Sequence, residues 1–161
     1  TEAAEMNFTV STIAASLADY LAAVLPGVTM YEDPNQQGSK PPMMFLQQRF
    51  SFLEHETGGY WLRRIGLDLT YLENYNLPNL QRLYQTAAEA LDLVMETFPY
   101  SDGSNAGTVL LRTYEREWNI DLDAMHYKFE LRERVTLPEP FIPMQSMIYS
   151  EEVANGQEIQ A

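Results

Sequence analysis

The sequence has no cysteine among its 161 residues. That absence excludes disulfide bonds, thiolate metal sites and thiol nucleophiles together, and it is typical of proteins made in a reducing compartment. The sequence also has no apolar run that approaches the roughly 20 residues of a membrane-spanning helix. We therefore expect a protein with no membrane partner.

Basic residues are scarce as well. Ten Lys and Arg stand against 23 Asp and Glu, which gives a formal net charge of −13. Because phosphate backbones and anionic membranes are held by clustered Lys and Arg, this balance predicts that the chain binds neither of them specifically. The composition, 45% apolar and 20% charged, is nevertheless that of a globular protein, and the length fits one domain.

The sequence does contain one strongly amphipathic stretch, from Asn79 to Phe98. Its apolar residues recur at steps of three and four, which places them on one stripe of an α-helix. We expect Asn79 to cap this helix and Pro99 to end it, because proline cannot donate the next hydrogen bond. The stripe consists of Leu80, Leu83, Tyr84, Ala87, Leu91, Val94, Met95 and Phe98.

Strand patterns flank this helix on both sides, with apolar and polar residues in alternation. Turn residues join each pair of strands, namely Thr57-Gly58-Gly59 in the first pair and Asp121 and Asp123 in the second. The other predicted elements are a helix at 11–25 and strands at 28–32, 43–55, 60–72, 108–120 and 124–135. This order predicts an α+β fold, a largely antiparallel β-sheet built from two long hairpins with two helices packed on one face.

Residues 137–161 do not share that pattern. Prolines at 138, 140 and 143 disfavour a helix or a central strand, yet the segment is too apolar for a solvated tail. We therefore divide the chain into a domain at 1–136 and an extended Pro-rich arm with an acidic tail at 137–161. The arm is expected to pack on its own domain or on a neighbouring subunit. Its candidate subunit-interface residues are Phe141, Ile142, Met144, Met147, Ile148 and Tyr149.

Two groups of residues could carry chemistry, and each has a simpler interpretation. Glu89, Asp92 and Glu96 share a face of the central helix and could hold a cation, but a solvated acidic face explains them more simply. His55 and His126 are far apart in the sequence, and no third strong metal ligand accompanies them. We predict no catalytic, cofactor-binding or metal-binding residues, no cofactor, and a protein that is not an enzyme.

A partial calcium-loop pattern is the sharpest motif in the sequence. Asn119, Asp121, Asp123 and Glu130 match the first, third, fifth and twelfth positions of an EF-hand loop. Ala124, however, stands where that loop requires glycine, and the flanking residues alternate as strands do. We therefore interpret the two aspartates as hairpin-turn residues.

Several stretches together resemble the tail terminator, or tail completion, proteins of tailed bacteriophages. The resemblance covers about residues 8–136. It includes the amphipathic N-terminal helix, the aromatic hairpin that ends at Tyr71, and the central helix. The strings concerned are Val28-Thr-Met-Tyr-Glu32, Gly38-Ser-Lys-Pro-Pro-Met-Met-Phe45 and Asp121-Leu-Asp-Ala-Met-His-Tyr-Lys-Phe129.

The resemblance implies a structural virion protein of the tail or neck, made in the host cytoplasm. Such proteins form a homo-hexameric ring that caps the tail tube, stops its polymerisation and joins it to the head-side connector. The implied partners are other copies of the chain, the tail tube protein, head–tail connector or neck proteins and, in a contractile tail, the sheath protein. DNA would pass through the channel without specific binding, which suits an acidic protein.

Two alternatives stay open at this point. A head-completion or neck adaptor protein would share every feature described above. A small-molecule-binding α+β domain is the alternative from another class, and it would need a concave pocket with convergent polar groups.

Overall fold

The computed structural model describes residues 7–31, 38–121 and 123–135, so the arm at 137–161 and its six candidate interface residues lie outside the described part of the chain. The elements are α1 (Val10–Leu21), β1 (Thr29–Tyr31), β2 (Met43–His55), β3 (Trp61–Leu72), α2 (Leu80–Val94), β4 (Thr97–Tyr100), β5 (Val109–Ile120) and β6 (Met125–Val135). Two helices and a six-stranded sheet confirm the α+β class. Neither of these helices is long and apolar enough to cross a membrane.

The sheet has the strand order β1-β2-β3-β6-β5-β4. β1 pairs with β2 in parallel, and the other four pairings are antiparallel. The two long pairs that the alternation predicts, β2 with β3 and β5 with β6, are both present. They are joined through the central pairing of β3 with β6, in which Leu67 lies opposite Phe129. The sheet is therefore largely antiparallel.

The core lies on one face of this sheet. Every second residue of β3 and β6 is buried there, and the buried residues of both helices belong to the same cluster. Burial of the apolar side chains of the two helices and of the facing side of the sheet supplies the main driving force for folding. The largest fully buried side chains are Ile13 and Leu17 of α1, Met44 of β2, Ile65, Leu67 and Leu69 of β3, Tyr84 and Leu91 of α2, Phe98 and Tyr100 of β4, and Tyr127 and Phe129 of β6.

The predicted C-terminal boundary of the central helix is wrong. α2 ends at Val94, where the N–H of Met95 donates to the carbonyl of Leu91 at 2.8 Å. Phe98 belongs instead to β4, which was not predicted and which pairs with β5 at the edge of the sheet. Phe98 and Tyr100 are both fully buried on either side of exposed Pro99, a period of two rather than of 3.6. An edge strand tolerates the proline because it pairs on one side only.

The two helices also begin differently from each other. Thr9 caps α1 through a reciprocal pair of hydrogen bonds with Thr12, and the helix ends at Leu21 and not at residue 25 as predicted. Asn79, by contrast, makes no side-chain cap hydrogen bond, so its predicted role is wrong. Its φ of 63° and ψ of 32° place it in the left-handed region, which asparagine tolerates better than most residues.

Candidate functional site

A charged network occupies the face of the sheet opposite the helices, which we call the outer face. Glu130 of β6 is only 3% exposed, and its two oxygens accept hydrogen bonds from Arg64 and Arg132. The Arg64 Nη2 to Glu130 Oε2 distance is 3.0 Å. The hydrogen bond from Arg64 is the main reason that the pKa of Glu130 lies below its ordinary value, since burial acts in the opposite direction.

Aromatic rings flank this network. Arg64 lies over the ring of Phe52 at 4.9 Å, and Arg132 lies over the ring of Tyr114 at 4.5 Å. Next to them the ring of Phe50 covers Gly66, and a Cβ at that glycine would lie 2.3 Å from the ring. Gly66 is therefore required by close approach, and the rings help to cover the charged pairs from solvent.

His126 lies in a second polar group on the outer face. Its Nδ1 is 3.0 Å from Asp68 Oδ2, and its Nε2 is 2.8 Å from Asp121 Oδ2. The other oxygen of Asp121 accepts the backbone N–H groups of Asp123 and Ala124. Burial raises the pKa of Asp121, but these N–H groups and His126 outweigh that effect and lower it. Asp121 is thus a hairpin-turn residue, as predicted.

The calcium ligand set is not brought together. Glu130 binds the arginines on the outer face while Asp121 closes the turn. Within residues 7–31, 38–121 and 123–135, no group of three or more His, Asp and Glu side chains could hold a metal ion.

The acidic face of α2 is more than a solvated surface. Asp92 accepts hydrogen bonds from the Tyr127 hydroxyl at 2.7 Å and from Trp118 Nε1 at 3.1 Å. Burial, and then this contact with Asp92, raises the pKa of Tyr127. Glu96 pairs with Arg112 at 2.9 Å. Asp92 therefore ties α2 to β5 and β6, and Glu96, which follows the helix, pairs with β5. Glu89, Asp92 and Glu96 are all exposed, in keeping with the interpretation as a solvated acidic face.

The sheet opens at one end into a cleft between β5 and β6. These strands pair from Ile120 and Met125 as far as Thr113 and Leu131. Beyond that point, within the part of the chain that the structure describes, residues 109–112 pair with β4 only and residues 132–135 pair with β3 only. The cleft has a volume of about 750 Å³ and is lined mainly by Phe8, Leu110, Arg112, Arg132, Arg134 and Val135. We name it the β5–β6 cleft.

The charges at the open end do not by themselves account for the end of the pairing. If the register of Thr113 with Leu131 continued, Arg112 would lie opposite Arg132 and Leu111 opposite Glu133. Like charges directly opposite each other weaken a strand pair. Arg64 nevertheless lies opposite Arg132 in the paired strands β3 and β6, so this juxtaposition does not prevent pairing in this sheet. Sequence reasoning missed the cleft because its position depends on the register.

Glu133 lies on the inner side of the cleft, toward the core. Burial raises its pKa to about 7, and the charge of Arg63 opposes that shift. The segment before α1 lies beside it, because the ring of Phe8 stacks on Tyr100 at 4.8 Å and the Phe8 carbonyl accepts a hydrogen bond from Arg63 at 3.0 Å. The inner wall of the cleft is thus apolar apart from one carboxyl group with a raised pKa.

Taken together, the fold and its surfaces define an α+β domain whose sheet has helices on one face, a charged network on the other, and an open end. No protein-family model matches the chain, and a search of curated proteins finds no match either.

Proposed function

We propose that the chain is a structural virion assembly protein, a ring-forming tail terminator that caps a phage tail tube, stops its polymerisation and joins it to the head-side connector. Support comes from the resemblance described above and, most directly, from the open end of the sheet. A ring with head-to-tail contacts needs two different complementary surfaces on every subunit. The β5–β6 cleft is a candidate acceptor surface, and the apolar arm that follows Val135 is a candidate donor.

The edge of β2 offers a further place for a neighbour. β1 covers only residues 43–45 of that strand, and the residues beyond Leu46 pair with β3 alone. Most of these residues are exposed on both faces of the hairpin, including Phe52 and Leu53. A long, exposed strand edge is a template for pairing with another chain. Tube, connector and, in a contractile tail, sheath proteins are the partners that the proposal assigns to such edges.

The charge of the chain suits a channel through which DNA passes. A net charge of −13 repels a phosphate backbone, so DNA would slide without being held. The proposal accordingly includes no specific DNA contact, no cofactor and no reaction.

Co-sedimentation with purified tail tubes tests the proposal directly. We expect the protein to pellet with the tubes, to appear at their ends in negative-stain images, and to stop further tube growth when added to polymerising tube protein. An unrelated acidic protein of similar size is the control for trapping in the pellet. A protein that never associates with tubes, and instead binds a small molecule as a monomer, would overturn the proposal.

A further inference from the structure

We propose that the β5–β6 cleft receives residues 144–149 of a second copy of the chain, as a strand inserted between residues 109–112 and residues 132–135. This inference rests on the self-association that the proposed function requires, and it names the surface that receives the arm.

The cleft is bounded by two rows of backbone groups. Among residues 7–31, 38–121 and 123–135, residues 109–112 pair only with β4 and residues 132–135 pair only with β3. An extended segment between them would pair with both rows and would complete the sheet at its open end. Main-chain hydrogen bonds on two sides supply the affinity of such an insertion, and the flanking side chains supply its selectivity.

β5 presents two exposed apolar side chains beside the cleft, one on each face of the strand. Leu110 is 70% exposed and Val109 is 40% exposed. Exposed apolar side chains next to an unpaired strand favour an apolar, extended occupant. Residues 144–149, Met-Gln-Ser-Met-Ile-Tyr, are apolar at four of six positions and have no proline, so each can donate a backbone hydrogen bond.

The proposed function commits the arm to a second copy of the chain. β6 ends at Val135, which itself lines the cleft, so the arm follows directly from this end of the sheet. A ring with head-to-tail contacts needs a donor and an acceptor surface on different subunits. The proposal therefore assigns residues 144–149 to the cleft of a neighbouring copy, and the cross-linking test below distinguishes this from insertion into the cleft of the same chain.

The charges around the cleft are compatible with residues 144–149 as the occupant, but they do not supply the binding energy. The arginines that line the cleft already have partners in their own chain, Arg112 with Glu96 at 2.9 Å and Arg134 with Glu56 at 3.0 Å, while Arg132 bonds to Glu130. Residues 136–161 contain four glutamates and no Lys or Arg. The arm therefore brings no cation against the arginines, and backbone pairing and apolar contact account for binding.

Because the chain has no cysteine, single introduced thiols can be cross-linked without background. A Leu110→Cys variant is mixed with Met144→Cys, Met147→Cys or Tyr149→Cys, each as the full chain, and treated with a short bismaleimide. We expect a cross-linked dimer from at least one mixture, at a yield about tenfold above the control. The control replaces Leu110→Cys by Leu93→Cys, because Leu93 is 87% exposed on α2, outside the cleft.

A double variant, Leu110→Cys with Met147→Cys, separates the two possible sources of the arm. Cross-linking within one chain at high dilution would overturn the proposal, since the arm would then occupy its own cleft. Equal yields from the Leu93→Cys control would overturn it too.

Native mass spectrometry of the same samples reports self-association independently. If the protein forms oligomers but no cross-link forms in the cleft, only the assignment of the arm to the cleft is contradicted. If the protein stays monomeric at every concentration, even with tail tubes present, the proposed function is contradicted as well.

Discussion

At the scale of single residues, two glutamates on β6 show how the face of a sheet sets the chemistry of a side chain. Glu130 points to the outer face, where Arg64 and Arg132 hold the charged form and lower its pKa. Glu133 points inward, where burial favours the neutral form and raises its pKa to about 7. The two residues should therefore affect stability with opposite dependence on pH.

Replacing Glu130 by Gln removes the charge that binds Arg64. Because the folded-state pKa of Glu130 lies below its ordinary 4.5, its contribution is present above pH 4.5 and is lost as the pH falls further. We expect Glu130→Gln to lower the free energy of unfolding by about 1–3 kcal/mol at pH 7. Urea unfolding at pH 7 and pH 3 checks this, and an equal difference at both values would contradict the assignment.

Replacing Glu133 by Gln should have the opposite effect. Its folded-state pKa is raised from 4.5 to about 7, so its favourable contribution is complete below pH 4.5 and is lost as the pH rises through about 7. We expect Glu133→Gln to be more stable than the parent chain by about 1–2 kcal/mol at pH 8, after allowance for solvent screening. The gain should disappear at pH 4. Destabilisation at pH 8 would mean that the attraction between Glu133 and the charge of Arg63 outweighs the cost of burial.

At the scale of elements, alternation predicted β2, β3, β5 and β6 to within one or two residues, because a period of two is unambiguous when one face is buried. The end of α2 could not be predicted in the same way. Phe98 continues the helical spacing, and neither glycine nor asparagine marks the true end at Met95. Only burial of Phe98 and Tyr100 against the core distinguishes a short strand from another helical turn.

Asn79 offers a test of what begins α2. If its left-handed backbone matters and a side-chain cap does not, Asn79→Gly should leave stability unchanged or raise it slightly, because glycine adopts this conformation at no steric cost. Asn79→Ser keeps a good capping side chain but not the tolerance of positive φ, and we expect it to cost roughly 1 kcal/mol. Thermal unfolding of both variants checks the order. If the Ser variant is stable and the Gly variant is destabilised, the side chain at position 79 caps α2 after all.

At the scale of the whole molecule, the class of fold followed from the sequence, but the candidate site did not. The pattern of strands and helices in the sequence predicts the sheet and the presence of a face that helices cover. The cleft lies between residues 109–112 and residues 132–135, and only the register of β5 with β6 brings these two distant stretches together. The charged network depends on register in the same way, because Arg64 meets Glu130 across the central pair of strands.

The arm provides the last prediction, since it links the domain to its proposed assembly. Replacing Phe141 and Ile142 together by Ser removes two of the six candidate interface residues, which lie outside the described part of the chain. We expect the unfolding free energy to stay within about 0.5 kcal/mol of the parent chain, while self-association, measured by sedimentation or native mass spectrometry, weakens by roughly tenfold or more.

Leu93→Ser is the matched control, because it removes one exposed apolar side chain from α2. It should leave both the stability and the self-association close to those of the parent chain. A loss of thermal stability in the monomeric Phe141→Ser, Ile142→Ser variant would place the arm on its own domain. In that case the open end of the sheet would be filled by its own chain, and the ring would have to be held by the edge of β2 instead.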